Sequence, residues 1–469
     1  MNVLHALLES LQHSVTLVDD RVVVNDAAKL RARTDGLISE AVFGDGETKA
    51  AARWLIWEIA QALGIRPASI HDLYLACGRG EIDRAFTVPA MNLRMLTYDS
   101  ARAAFRAANR LNAGALIFEI ARSEIGYTDQ RPAEYTSSIL AAAIKEGRRG
   151  PVFIQGDHFQ INGKRFAEAP EAELKAVRDL SAEAIAAGFY NIDIDTSTLV
   201  DLSQPTTYEQ QRANFEHCAA LTRTVRELQP DGVMVSVGGE IGEVGGKNSN
   251  EEELRAFMNG YLAQLNGLTG ISKISIQTGT SHGGTVLPDG TLADVAIDFD
   301  VLKRLGELAR REYHLGGAVQ HGASTLPETA FGKFVECGAV EVHLATAFQT
   351  LIFSHESIPQ QLRDGVRDWL YQNAMNERKS KDTDEQFIYK TRKKAIGPFK
   401  RAFWDLPEAA RMSIGMALEA RFAFLFEQLN IQDTHRYVEA HIHAVEIHQP
   451  RPAGAVQAVK AESVEGLAD

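Results

Sequence analysis

The chain has 469 residues, 45% of them hydrophobic, and a formal net charge of −13, so it can bury a large core while its acidic balance speaks against nonspecific binding to nucleic acid or anionic membranes. Cys77, Cys218 and Cys337 have no CxxC spacing, and no run of about 18 apolar residues occurs. The first 20 residues lack the basic start and long apolar stretch of a signal peptide, so a cytoplasmic, reducing setting without a disulfide framework is expected.

Residues 1–80 read as a helical segment. AARWLIWEIAQALG carries apolar residues at helical spacing and ends on Gly64. Eight short apolar runs follow: 85–90, 115–120, 151–155, 190–194, 232–237, 273–277, 317–320 and 340–345. Helical patterns such as SARAAFRAANRLN, EAELKAVRDLSAEAIAAG and DFDVLKRLGELARREY separate them. Their lengths suit right-handed crossovers between parallel strands. The expected fold is α/β, a (β/α)8 TIM barrel over residues 81–350. After residue 350 the strand signal stops. RDGVRDWLYQNAMNER and EAARMSIGMALEARFAFLFEQLN predict a C-terminal helical extension over 351–450, and residues 451–469 read as a disordered tail.

In such a barrel function sits at the C-terminal ends of the strands. Asp157-His158, Asp195, Glu240, His282 and His321 stand beyond the runs. A lone histidine is more often structural than a ligand, and the chain has 14. Context favours three of them: His158 follows PVFIQGD, His282 lies in SIQTGTSHGG and His321 in AVQHGAST. Each comes just after an apolar run, and two precede a glycine that lets backbone N–H groups approach an anion. Three histidines so placed can share one metal ion.

The ordered set FTVPAMN, GDH, NIDIDTS, GGEIGEVGG, TGTSHGG, QHGAS and HLATAFQ resembles the class II, zinc-dependent fructose/tagatose-bisphosphate aldolases over about residues 85–350. The resemblance implies zinc held by His158, His282 and His321, with Glu240 close to an alternative or second metal position. A second divalent or a monovalent cation is a further implied option. Asp157 matches the catalytic aspartate that handles the aldehyde-half proton, Asp195 a hydrogen-bonding support and Asn92 a substrate neighbour. Gly283, Gly322, Ala323, Ser324 and Thr346 would cradle a phosphate through amides and hydroxyls. The implied reaction is reversible aldol cleavage of a phosphorylated ketose to a dihydroxyacetone-phosphate-type ketone and an aldehyde, with zinc as the Lewis acid. A homodimer or homotetramer is implied, with a small phosphorylated sugar as the partner and neither nucleic acid nor membrane.

Three departures stand out. Lys247, Asn248 and Ser249 replace the acidic loop of fructose-specific relatives, and Glu251, Glu252 and Glu253 read as the acidic start of a helix. One of these, or Glu243, is the remaining option for the base. His343 stands where the family has asparagine, at a position from which it would contact the substrate phosphate, and the lysine after the second histidine is absent. YKTRKKAIGPFKR reads as a solvated basic face, and His435, His441, His443 and His448 as surface residues. Two other classes compete with an aldolase: a non-catalytic, accessory phosphosugar-binding subunit of the same fold, and a metal-dependent hydrolase. The full histidine set speaks against the first, and the lack of an HxH pair in the barrel against the second.

Overall fold

The computed structural model describes residues 3–18, 21–242, 247–279, 287–288, 297–452 and 464–468. The N-terminal segment is not wholly helical. It holds a hairpin, β1 (Val15–Val18) and β2 (Arg21–Val24), and a short strand, β3 (Arg66–Ala68). Runs of four residues are too short for periodicity to separate strand from helix, and three residues carry no signal. The helix Gly46–Ala62 forms as expected, with Gly64 left-handed at φ 70° just beyond it.

The eight apolar runs become the staves of a closed parallel barrel. They are β4 (Val88–Asn92), β5 (Ile117–Ala121), β6 (Pro151–Gln160), β7 (Asn191–Asp195), β8 (Ser236–Glu240), β9 (Lys273–Ile276), β10 (Ala318–Gln320) and β11 (Glu341–Leu344). Each strand pairs with the next, and β11 pairs back onto β4. β3 adds a parallel partner at the start of β6. Interior side chains and an outer ring of helices cover both faces, so the strands read as continuous apolar runs rather than alternations.

β6 is the strand that shapes the site. Its register against β7 breaks between Gly156, opposite Ile192, and Phe159, opposite Ile194. The break is a bulge, a device that re-aims side chains near functional sites. His158 sits in it at φ 39°. Gly156 is required there, because a Cβ would stand 2.4 Å from the Phe159 ring.

The C-terminal extension is helical as expected, including Gln360–Asn373 and Glu408–Gln428. The latter lies along Thr97–Arg110, joined by Arg106 to Glu419 at 2.6 Å and Arg411 to Asp99 at 3.2 Å. The chain then returns to the N-terminal segment. Trp54 and Trp57 donate their indole N–H groups to the carbonyls of Gln449 (3.0 Å) and Ile447 (2.7 Å). Buried indoles need such acceptors. The tail is not wholly free of structure, since residues 464–468 hydrogen-bond to the barrel. Among the described residues no helix is long and apolar enough to cross a membrane.

Candidate active site

The strand ends carry the chemistry. Asp157 and His158, expected just beyond their strand, lie within the bulge of β6; Asp195 and Glu240 are the last residues of β7 and β8. β8 begins at Ser236 rather than at Gly232, which shifts its end onto Glu240. His321 directly follows β10, His343 lies within β11, and Asn92 ends β4. Each of these side chains is buried.

His158 is oriented from behind. Its Nδ1 faces Asp195 Oδ2 at 3.0 Å and Glu240 Oε2 at 3.5 Å. Asp195 also accepts from Ser197 N (3.0 Å), Ser197 Oγ (2.7 Å) and Gln160 Nε2 (2.6 Å). A proton fixed on Nδ1 leaves the Nε2 lone pair pointing forward, where it meets His321 Nδ1 at 2.7 Å. The far nitrogen of His321 is held by Ser275 Oγ at 2.9 Å. Two converging imidazole nitrogens are stabilised by a cation between them, either a proton or a metal ion.

The surrounding charge favours a cation. Burial pushes Glu240 well above the ordinary carboxylate range, and the charges of Asp195 and Asp157 add to it. Burial works against a charge on His158, but Asp157, the Asp195 hydrogen bond and Glu240 outweigh it and push the ring up to about 10. Asp195 is held low because hydrogen bonds from His158, Ser197 and Gln160 overcome its burial. Ligand atoms of Asp157, His158 and His321 lie within 4.8 Å of one another, as do those of His158, Asp195 and Glu240. Two imidazoles with adjacent carboxylates are a fitting donor set for a divalent ion. A carboxylate behind a ligating histidine tunes such a site, so Asp195→Ala should weaken divalent-metal affinity about 10–100-fold, as read by chelator competition.

Asp157 belongs to a second layer. Its Oδ2 accepts from Asn92 Nδ2 at 3.1 Å, and its Oδ1 lies 3.2 Å from His343 Nδ1. His343 stacks on His321 with 4.0 Å between ring centroids. Glu124, missed in the sequence, accepts from Asn92 and from Arg94 Nε at 2.6 Å. A pocket opens here, lined by Asn92, Arg94, Asp157, Ser324, Thr346 and His343 among others. Gly322, left-handed at φ 68°, also lines it, whereas Ala323 is buried beneath. Asn92 Oδ1 and Thr325 Oγ1, both buried at this pocket, have no hydrogen-bond partner among the described residues. Arg94 is a buried cation beside them.

Lys390 and Arg401 of the basic segment are exposed, but its other cations are packed. Arg392 stacks over Tyr389 at 4.2 Å, Lys400 pairs with Glu134 at 2.8 Å, and Lys393 stands over the Tyr127 ring at 5.7 Å. Burial, with the charge of Arg94 second, pushes Lys393 down to about 7. His448 bridges Glu58 of the N-terminal segment and Glu446, two residues before it.

Below the pocket lies a layer of charge that sequence reasoning missed. Lys273 Nζ donates to Gln155 Oε1 at 2.8 Å, to Asp193 Oδ2 at 2.9 Å and to Glu341. Glu341 also accepts from Tyr74 and contacts His343 Nε2 at 2.6 Å. Glycine makes room: a Cβ on Gly238 would stand 2.3 Å from Asp193 Oδ1. The available signal was a lysine and a glutamate opening short strands buried along their whole length.

His282, Gly283 and Glu243 lie outside the described residues. Glu251, Glu252 and Glu253 form the first turn of the helix Glu251–Leu265, with Asn250 and Glu253 as a capping box. Lys247 pairs with Glu253 at 2.9 Å.

The family "Fructose-bisphosphate aldolase class-II" matches residues 82–400, well over half of the chain. No curated protein matches. Among solved structures, a probable tagatose 6 phosphate kinase from Sinorhizobium meliloti 1021 is similar at 14% identity, with 75% of this chain and 100% of that one covered and a TM-score of 0.52. The fructuronate-tagaturonate epimerase UxaE from Cohnella laeviribosi is similar at 12% identity over 90% of each chain, with a TM-score of 0.53. A fructose-bisphosphate aldolase from Campylobacter jejuni aligns at 18% identity over 79% of this chain and 98% of that one, with a TM-score of 0.47. At these identities the first two likenesses speak for the fold and not for the reaction. The family match over residues 82–400, together with the closed parallel barrel, carries the assignment: the chain belongs to the class II fructose-bisphosphate aldolase family.

Proposed function

We propose that the protein is a zinc-dependent aldolase that reversibly cleaves a phosphorylated ketose to a dihydroxyacetone-phosphate-type ketone and an aldehyde. The observation that carries this reading is the convergence of His158 Nε2 and His321 Nδ1 beside Asp157, on a pocket that also presents Arg94 and the hydroxyl side chains of Ser324, Thr325 and Thr346. His158 and His321 would hold the ion, with His282 the third ligand by resemblance and Glu240 at hand. When bound, zinc supplies a Lewis acid for the negative charge that develops on the ketone oxygen.

The chain's own groups do the rest. Asp157 moves the proton at the hydroxyl of the carbon that becomes the aldehyde. Asn92 holds Asp157 Oδ2 in place and keeps Oδ1 turned toward His343. Arg94, Ser324 and Thr346 take the anionic end of the substrate. Asp195 holds the Nδ1 side of His158 and so turns Nε2 toward the metal position.

A second reading is an epimerase. Cleaving a carbon–carbon bond, rotating the aldehyde and re-forming the bond inverts a stereocentre without releasing a fragment. Residues 464–468 at the barrel mouth favour a site that retains its fragments, and the likeness to UxaE extends over 90% of both chains.

One experiment separates these readings. Purified protein is given a panel of ketose phosphates and sugar acids, before and after chelation and zinc restoration. Zinc-dependent triose phosphate release, lost in His158→Ala, is the expected result. A new ketose stereoisomer with no triose phosphate selects the epimerase. Bound zinc with no turnover on the panel leaves an accessory phosphosugar-binding role, and a protein that takes up no zinc overturns the metal reading.

A further inference from the structure

Residues Val464–Ala468 return to the open end of the barrel. Ala468 N donates to Gln160 Oε1 at 2.7 Å, Ser123 Oγ donates to Ala468 O at 2.5 Å, and Asn162 Nδ2 donates to Glu465 O at 2.6 Å. Ser123, Gln160 and Asn162 are all buried, at 1%, 6% and 2% exposure. The fit is close. Gly466 is left-handed at φ 78°, and a Cβ there would come within 2.7 Å of Asn162 Nδ2.

The polarity of these contacts runs one way. The Gln160 amide turns its Nε2 toward Asp195 Oδ2 and donates to it at 2.6 Å. Its Oε1 is then aimed at the mouth, buried and in need of a donor. The Ala468 N–H supplies one. On its other side Asp195 Oδ2 holds His158 Nδ1 at 3.0 Å. A continuous row of contacts therefore joins the backbone of this segment to the ring that faces the metal position.

We propose that Val464–Ala468 is a positioning element of the active site, which locks Gln160 and, through Asp195, sets the ring of His158. The inference rests on the metal reading given above. Its effect is partial, because Ser197 N and Oγ hold Asp195 Oδ1 whether or not the segment is present. What the segment secures is the other oxygen, the one that touches His158.

The test uses full-length protein, a Gly466→Val variant and a deletion of residues 464–469. Neither change alters a side chain that faces the metal position. Co2+ is titrated into chelator-stripped protein, with affinity read by competition and site geometry by the visible absorption band. The expected result is about 10-fold weaker Co2+ in both variants, the lower end of the effect of losing an outer partner of a ligand, with a shifted band and an unchanged thermal midpoint. Wild-type affinity and an unshifted band in both variants overturn the proposal and leave the metal reading intact. Failure of the unaltered protein to bind Co2+ overturns both.

Discussion

His158→Ala is expected to lower kcat/KM for cleavage by about 10³-fold, equivalent to about 4 kcal/mol of transition-state stabilisation, and to abolish tight metal binding. The expectation follows from what the side chain connects. Its Nδ1 is anchored on Asp195, and its Nε2 faces His321 Nδ1 at 2.7 Å. Strain gives a way to separate this role from a structural one. The residue sits at φ 39°, a conformation that costs a non-glycine residue about 1–3 kcal/mol. Alanine keeps that strain and glycine releases it, so His158→Gly should be the more stable variant by about 1 kcal/mol in urea unfolding. Both should be equally inactive and equally poor at holding metal. Recovered activity in the glycine variant would mean that backbone shape, not the imidazole, is what the site requires.

The barrel was legible because each strand is buried on both faces and announces itself as an apolar run. Strands built partly from polar residues were less legible at their ends. GDHFQ lies beyond the apolar run 151–155, yet it is the second half of β6, because the bulge and Gly156 let polar side chains point into the barrel end while the backbone stays paired. The same holds for the last residues of β8, where two glycines and Glu240 continue the ladder. Motif resemblance named the groups at the strand ends. It could not name their supports. Gln160 and Glu124 sit in no motif, and their roles arise only when chain closure brings Asp195 and Asn92 beside them. The basic segment was misread for a related reason. Its Lys400 pairs with Glu134 and its Lys393 stands over Tyr127, partners that the sequence does not place nearby.

Lys273→Met is expected to be the most destabilising single change in the barrel, costing roughly 3–5 kcal/mol near neutral pH. Lys273 is about 99% buried and is the cation that Asp193 and Glu341 share. Burial alone would raise Glu341; Lys273 and the contact with His343 outweigh it and hold the group well below its ordinary value. Asp193 remains raised, because burial exceeds what Lys273 returns to it. In the natural protein, Glu341 therefore contributes stability that is present above its unfolded pKa and is lost as pH falls toward its folded one. Removing the ammonium reverses that sign. Both carboxyls would then have folded pKa values above their unfolded ones, and each costs stability as pH rises through that interval. The deficit of Lys273→Met should accordingly shrink on acidification, as the two groups protonate and the buried charge disappears. Urea unfolding of both proteins at about pH 5 and pH 7.5 reads this directly. A deficit of equal size at both values would show that the variant fails through lost packing, not through uncompensated charge. Methionine nearly matches the lysine side chain in length, which keeps that alternative small and makes the pH dependence the deciding quantity.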